Sequence, residues 1–266
     1  MQQFKISPHH QDGIKNLVKA YENDHRFKAL IIGGSVAKGC ARADSDVDFI
    51  MVATDKEYNR RLLTNDLFIN RKDLTNYPNG FVDGKIINEE FLYKVRDNGN
   101  EPTRAAFDGA IIGFSKIEDI QKTMNKIVEY PEDLRAEKLK TFYSMAFIQN
   151  WLMGEAERHN NFYTKHRAAS QLVLFAGRLI LAYNRVFFPY HKWFYEYLGR
   201  CSKKPPYLIN NMNQLLKEPN AKNAENLFKS IKRFEDWKVT DIEAFLWFME
   251  DVEMSWLKGN HIIEDW

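Results

Sequence analysis

The stretch that most constrains this chain is Gly33-Gly34-Ser35, set between two apolar runs and followed, eleven residues after the serine, by Asp46-Val47-Asp48. Ahead of the glycines, Ala29-Leu30-Ile31-Ile32 reads as a buried strand by its apolar continuity. Phe49-Ile50-Met51-Val52, behind the aspartates, reads as a second. Side chains on a strand alternate with period two, so a strand holding both acids turns Asp46 and Asp48 to one face and Val47 to the other. The face that carries both acids becomes a hard-oxygen site for a divalent ion.

Two carboxylates side by side repel, and the cost grows with burial, so the pair calls for a proton or a cation. Magnesium meets that need, because it takes carboxylate oxygens together with substrate phosphates and keeps some water. The glycines supply the other half. They let the backbone come close to a bulky anion, and a helix opening at Ser35-Val36-Ala37-Lys38 offers N–H groups to a phosphate, with the Ser35 hydroxyl beside them. The expected ligand is a nucleoside triphosphate with magnesium. Each element alone has a plainer use, since Gly-Gly also makes strand-to-helix turns and Asp44-Ser45-Asp46 also makes turns through side-chain-to-backbone bonds. Their order and spacing favour the ligand reading, with Asp44 assigned to the turn.

On Gly34-Ser35, Asp46-x-Asp48 and the flanking apolar stretches, the chain resembles the nucleotidyltransferase superfamily typified by DNA polymerase beta and the antibiotic nucleotidyltransferases. The resemblance implies an α+β fold, a mixed sheet with flanking helices, followed here by an all-α helical bundle. It also implies two magnesium ions held by the paired acids and a serine on the terminal phosphates. A third acid comes from a later strand. Asp83, within Gly80-Phe81-Val82-Asp83-Gly84-Lys85-Ile86-Ile87, is the candidate, although Gly84 departs from a plain apolar, Asp, apolar pattern. Gly33, Gly34, Ser35, Lys38 and Lys85 are the candidate nucleotide-binding residues, the two lysines as phosphate neutralisers.

Composition agrees with this reading. A chain of 266 residues, 44% hydrophobic and 14% aromatic, has ample material for packed cores in one large or two small domains. Its net charge of +2, from 38 basic and 36 acidic residues, provides no global field to recruit nucleic acid. Cys40 and Cys201 suggest no disulfide framework and fit a reducing compartment. No apolar segment follows Met1-Gln2-Gln3-Phe4-Lys5, and no run reaches the roughly eighteen apolar residues of a membrane span, so a cytoplasmic protein without a membrane partner is expected.

Along the chain, Asp12 to His25 reads as an amphipathic helix with Ile14, Leu17, Val18 and Tyr21 on one side. Helices are expected at Asp55 to Thr64 and Glu89 to Asp97, and strands at Phe81 to Ile87 and Ile111 to Phe114. Glu101-Pro102 opens a further helix. Arg104 suits a phosphate, but a surface or carboxylate-paired arginine is the plainer use. At Tyr130-Pro131-Glu132-Asp133 the character changes, which divides the chain into residues 1–130, catalytic, and 131–266, a bundle that selects the acceptor. Its helices begin around Leu139 and span Ala168 to Phe188, 208–217, 221–236 and 240–257.

The helical half carries weaker indications. Glu155 or Glu157 is a candidate general base for an acceptor hydroxyl, by resemblance to antibiotic-modifying enzymes; solvated helix acids are the plain alternative. The segment Asn184 to Trp193 mixes polar and aromatic groups at a helix break, as a nucleotide contact or a wall between the two halves would. Its Arg185 and His191 also fit the arginine, spacer, histidine pattern of the HEPN helical proteins, where a structural role is the simpler reading. His9-His10, His159 and His166 lack a zinc framework and read as surface histidines. The acids from Glu235 to Glu253 suit either a polycationic acceptor or a solvated face. Three functions stay open: nucleotidyl transfer to a small hydroxylated acceptor such as an aminoglycoside or lincosamide-like antibiotic, transfer to tRNA or protein, and non-catalytic nucleotide binding.

Overall fold

The computed structural model describes residues 6–259. The chain divides after Glu129 into two compact units. In the first, helix α1 (Pro8–Tyr21) leads into strand β1 (Phe27–Ile32), a single helical turn α2 (Gly34–Ala37) and strand β2 (Val47–Ala53). Helix α3 (Asp55–Leu63), strands β3 (Phe68–Arg71) and β4 (Val82–Asn88), helices α4 (Glu89–Asn98) and α5 (Glu101–Ala106), strand β5 (Ile111–Ser115) and helix α6 (Ile120–Ile127) complete it. The α1 helix starts and ends about four residues ahead of its expected bounds, because Pro8 sits in its first turn, where a missing N–H costs nothing.

The five strands lie in the order β3-β4-β2-β1-β5, antiparallel except for the parallel pair β2 and β4. One face buries Leu30, Ile32, Phe49 and Met51 against Leu17 of α1. The other buries Ala29, Ile31, Val52 and Ile87 with Leu92, Val95, Met124 and Ile127 of α4 and α6. Both faces covered is the condition that lets β1 and the inner part of β2 read as near-continuous apolar runs. The β3 strand was not foreseen from the sequence. It is a four-residue edge strand of alternating exposure, and such short polar edges carry little apolar pattern. The α6 helix escaped notice as well, although Ile120, Met124 and Ile127 form a clear buried stripe.

Asparagine and threonine set many helix starts. Asn88 and Asn100 accept from the N–H groups of Phe91 and Thr103, and Thr54 accepts from Glu57, each satisfying a donor that the helix itself leaves unpaired. The same device recurs in the second unit, where Asn161, Asn220 and Thr240 cap their helices and Thr240 with Glu243 forms a reciprocal capping box.

The second unit is helical throughout its described residues: α7 (Arg135–Arg158), α8 (Phe162–Tyr183), α9 (Phe194–Arg200), α10 (Leu208–Lys217), α11 (Ala221–Lys232) and α12 (Asp241–Phe248), followed by irregular helical turns. The α8 helix is apolar around most of its surface, with Leu172, Leu179 and Ile180 fully buried, and is therefore the central element. It ends at Tyr183, five residues short of the expected Phe188. Arg135 of α7 donates to the carbonyls of Ala182 and Tyr183 and so closes its C-terminus.

Candidate functional site

Several of the residues singled out by sequence meet at one end of the sheet. There β1 finishes, β2 and β4 begin, and β3 finishes, because Ile32 pairs with Phe49, Asp48 with Asp83, and Asn70 with Asp83. The parallel register thus sets Asp48 directly opposite Asp83. Alternation gives Asp48 the face of Ile50 and Val52, and gives Asp83 the face of Lys85 and Ile87. Val52 and Ile87 belong to the same core layer, so the two acids share a face of the sheet. Asp46 differs from its expected place on the strand: β2 begins at Val47, and Asp46 is the last residue of the incoming loop.

The glycine loop wraps this end. Gly33 donates its N–H to the Asp48 carbonyl at 2.9 Å, tying the exit of β1 to the entry of β2. Gly34 has φ of +62°, and a Cβ there would stand 1.8 Å from Oδ2 of Asp48. Only glycine permits both that backbone and that approach. Ser35 is buried in the single turn of α2, and its carbonyl accepts from the Cys40 N–H at 3.0 Å. The first N–H groups of this turn have no acceptor within the turn itself.

Asp83 receives a hydrogen bond from Asn70 Nδ2 at 3.0 Å. Asn70 was missed by sequence reasoning, since it lies on the unforeseen β3, where Phe68-Ile69-Asn70-Arg71 shows no apolar alternation in sequence. Gly84, which broke the expected strand pattern, has a packing reason: a Cβ there would stand 2.3 Å from the Phe49 ring on the far side of the sheet. Lys85 is exposed and lies two residues beyond Asp83 on the same strand face. Lys38 caps the C-terminal end of α2, and its ammonium donates to the Ala105 carbonyl at 2.9 Å, fastening α2 to α5.

Other sequence candidates have structural partners. Arg104 donates to the carbonyls of Ile127 and Lys126, closing the C-terminus of α6. In the second unit, Glu155 is paired with Arg158 at 2.9 Å, and Glu157 accepts the N–H of Ala221 at the start of α11. Arg185 pairs with Glu132, while His191 packs edge-on against Phe188 and Tyr190. Of the acids considered for a polycation, Glu235 accepts from the Tyr183 hydroxyl, Asp236 pairs with Lys238 and Glu243 caps α12. The reading of His9-His10 as surface residues is corrected for His10, which is buried at 1% exposure and bonded at both ring nitrogens.

Among the described residues, no group of three or more His, Cys, Asp or Glu side chains forms a ready cation cage. Magnesium does not require one, because it is commonly held by one or two carboxylates, water and substrate phosphates. Asp48 and Asp83 offer hard oxygens in register on adjacent strands, and such anions gain from a cation between them, while Asp46 is not gathered with them into a group of three. The residues present therefore fit magnesium.

Comparison with known proteins adds the following. The family described as Domain of unknown function (DUF4037) matches residues 105–194. No curated protein matches the chain. Among solved structures, the chain is similar to a nucleotidyltransferase-like protein from Exiguobacterium sibiricum 255-15, at 9% identity and a TM-score of 0.47, covering 92% of this chain and 80% of that one. No helix among the described residues is long and apolar enough to cross a membrane.

Proposed function

We propose that the first unit transfers a nucleoside monophosphate from a nucleoside triphosphate to a hydroxyl of an acceptor molecule. The observation that carries this reading is the pairing of Asp48 with Asp83 across β2 and β4, at the sheet end where Gly34 lies against the Asp48 carboxylate. Two like charges set opposite each other in a sheet cost stability, and a ligand that needs both offsets the cost. Asp46, Asp48 and Asp83 would hold two magnesium ions, which when bound neutralise the phosphates and stabilise the entering and leaving oxygens of an in-line displacement.

The chain's own residues then have distinct duties. The Gly33-Gly34 backbone and the Ser35 hydroxyl orient the β- and γ-phosphates. Lys85, exposed on the Asp83 face, adds positive charge for the triphosphate, whereas Lys38 keeps α2 in place through its bond to Ala105. The acceptor oxygen attacks the α-phosphorus, its bond forms as the bond to pyrophosphate breaks, and the acceptor proton passes to Asp83. Asn70 donates to Oδ1 of Asp83 and so orients that carboxylate. Glu155, held by Arg158, is a weaker choice of base. The acceptor class we assign is a hydroxylated small molecule of the aminoglycoside or lincosamide type.

The test incubates the protein with magnesium, each nucleoside triphosphate labelled at the α-phosphate, and separate pools of hydroxylated antibiotics, tRNA and protein. Label on a small molecule, lost in Asp48→Asn, is the expected result. Label on RNA or protein moves the acceptor to a macromolecule. Absence of transfer and of magnesium-dependent pyrophosphate release in every pool contradicts the reading.

A further inference from the structure

Asp46 stands one residue ahead of β2, so the strand ladder alone does not hold it. The peptide that precedes it is held instead by side chains from two distant segments. The Ser45 carbonyl lies 2.9 Å from Nε2 of His10, at the start of α1, and 2.7 Å from the hydroxyl of Tyr77, in the connection between β3 and β4. A carbonyl oxygen only accepts, so Nε2 carries the proton. The other ring nitrogen, Nδ1, lies 2.6 Å from Ser7 Oγ and accepts from that hydroxyl. A neutral imidazole satisfies both bonds at once, and burial, the main influence on His10, lowers its affinity for a second proton.

The cluster is packed as well as bonded. The rings of His10 and Tyr77 meet edge-on at 5.2 Å, and His9 covers Tyr77 at 4.7 Å while its Nε2 lies 3.1 Å from the Ala43 carbonyl. Both acceptor directions of the Ser45 carbonyl are filled, and because a peptide unit is planar, fixing that oxygen fixes the N–H side that begins Asp46. The turn before it is closed on itself, with Ser45 N–H donating to the Arg42 carbonyl and Ser45 Oγ accepting from the Arg42 N–H. Burial, with the Asp46 charge adding to it, raises the Tyr77 hydroxyl above its ordinary range.

We propose that His10 and Tyr77 are positioning residues that preset Asp46 for a divalent cation by clamping the Ser45–Asp46 peptide from two sides. The proposal rests on the reading of Asp46, Asp48 and Asp83 as cation ligands. Supporting groups of this kind typically change metal affinity by about 10- to 100-fold when removed. A role confined to packing would lower stability and leave cation affinity where it was.

The test measures Mn2+ binding by electron paramagnetic resonance, and thermal stability in parallel, for the full-length protein and for D46N, H10F, H10Q and Y77F. The account expects Mn2+ bound by the unaltered protein and weakened in D46N. H10F should weaken it about tenfold, and Y77F, which keeps the ring and loses one hydrogen bond, by about threefold to tenfold. H10Q, whose amide nitrogen reaches near the place of Nε2, should recover most of the affinity lost in H10F. Should H10F fail to fold, Y77F decides. Unchanged Mn2+ affinity in folded H10F and Y77F overturns the positioning role while leaving the cation site intact. Absence of Mn2+ binding in the unaltered protein overturns the cation reading itself.

Discussion

In the helical unit four of the acids considered for a function serve structural duties, whereas in the sheet unit the carboxylates of Asp48 and Asp83 are brought opposite each other by the strand register. Glu155 meets Arg158, Glu157 caps α11, Glu235 takes the Tyr183 hydroxyl and Glu243 closes the start of α12. Each of those contacts favours the folded state. Setting Asp48 against Asp83 works against it, since like charges on neighbouring strands repel. The contrast teaches where to look for chemistry: at polar groups whose arrangement costs stability unless something else binds, and not at polar groups already serving a helix end.

The strongest way to break that contrast is Asp48→Asn. The change is nearly isosteric, so the expected outcome is a loss of nucleotidyl transfer of about 10³-fold or more with the fold retained. A variant that melted far lower would make Asp48 a structural acid like those of the helical unit. Leu179→Ala probes the opposite side. Emptying this fully buried position in α8 should cost about 3 kcal/mol in urea denaturation, with Mn2+ affinity unchanged.

Gly34→Ala should join the two kinds of effect. Its Cβ would overlap Oδ2 of Asp48 and force an L side chain to φ of +62°, so a stability loss of about 2 kcal/mol is expected together with weaker Mn2+ binding. The smallest effect concerns an acid of the sheet unit with a plainly structural task. Glu57 is bonded by Arg60 and Arg61, and chiefly the Arg60 bond lowers its pKa from 4.5 to about 2. A carboxyl with a depressed folded pKa contributes stability above its unfolded value and loses it as pH falls. Glu57→Gln should therefore cost about 1–2 kcal/mol near neutrality, and the difference should vanish between pH 4.5 and about 2.

Much of the sheet was legible because its central strands are buried on both faces. Continuous apolar runs marked β1 and β2, and the expected strands at Phe81 to Ile87 and Ile111 to Phe114 differ from β4 and β5 by a single residue at their ends. The edge strand β3 was not legible, and with it went Asn70, since four residues of alternating exposure leave almost no periodic trace. His10 escaped for a different reason. Its burial comes from Ser45 and Tyr77, which are 35 and 67 residues away in sequence, and no local pattern reports such a meeting. In the helical unit, the bounds of α10 were read correctly from its apolar spacing, while α9, only seven residues long, was too short to announce itself.

The most direct test of the account is to locate the cation. Crystals grown with Mn2+ and a non-hydrolysable nucleoside triphosphate analogue would show manganese by its anomalous scattering. The account predicts manganese held by the carboxylates of Asp48 and Asp83, with the analogue's phosphates against Gly33-Gly34-Ser35. Nucleotide bound elsewhere, or manganese absent from these carboxylates while nucleotide is present, would contradict it.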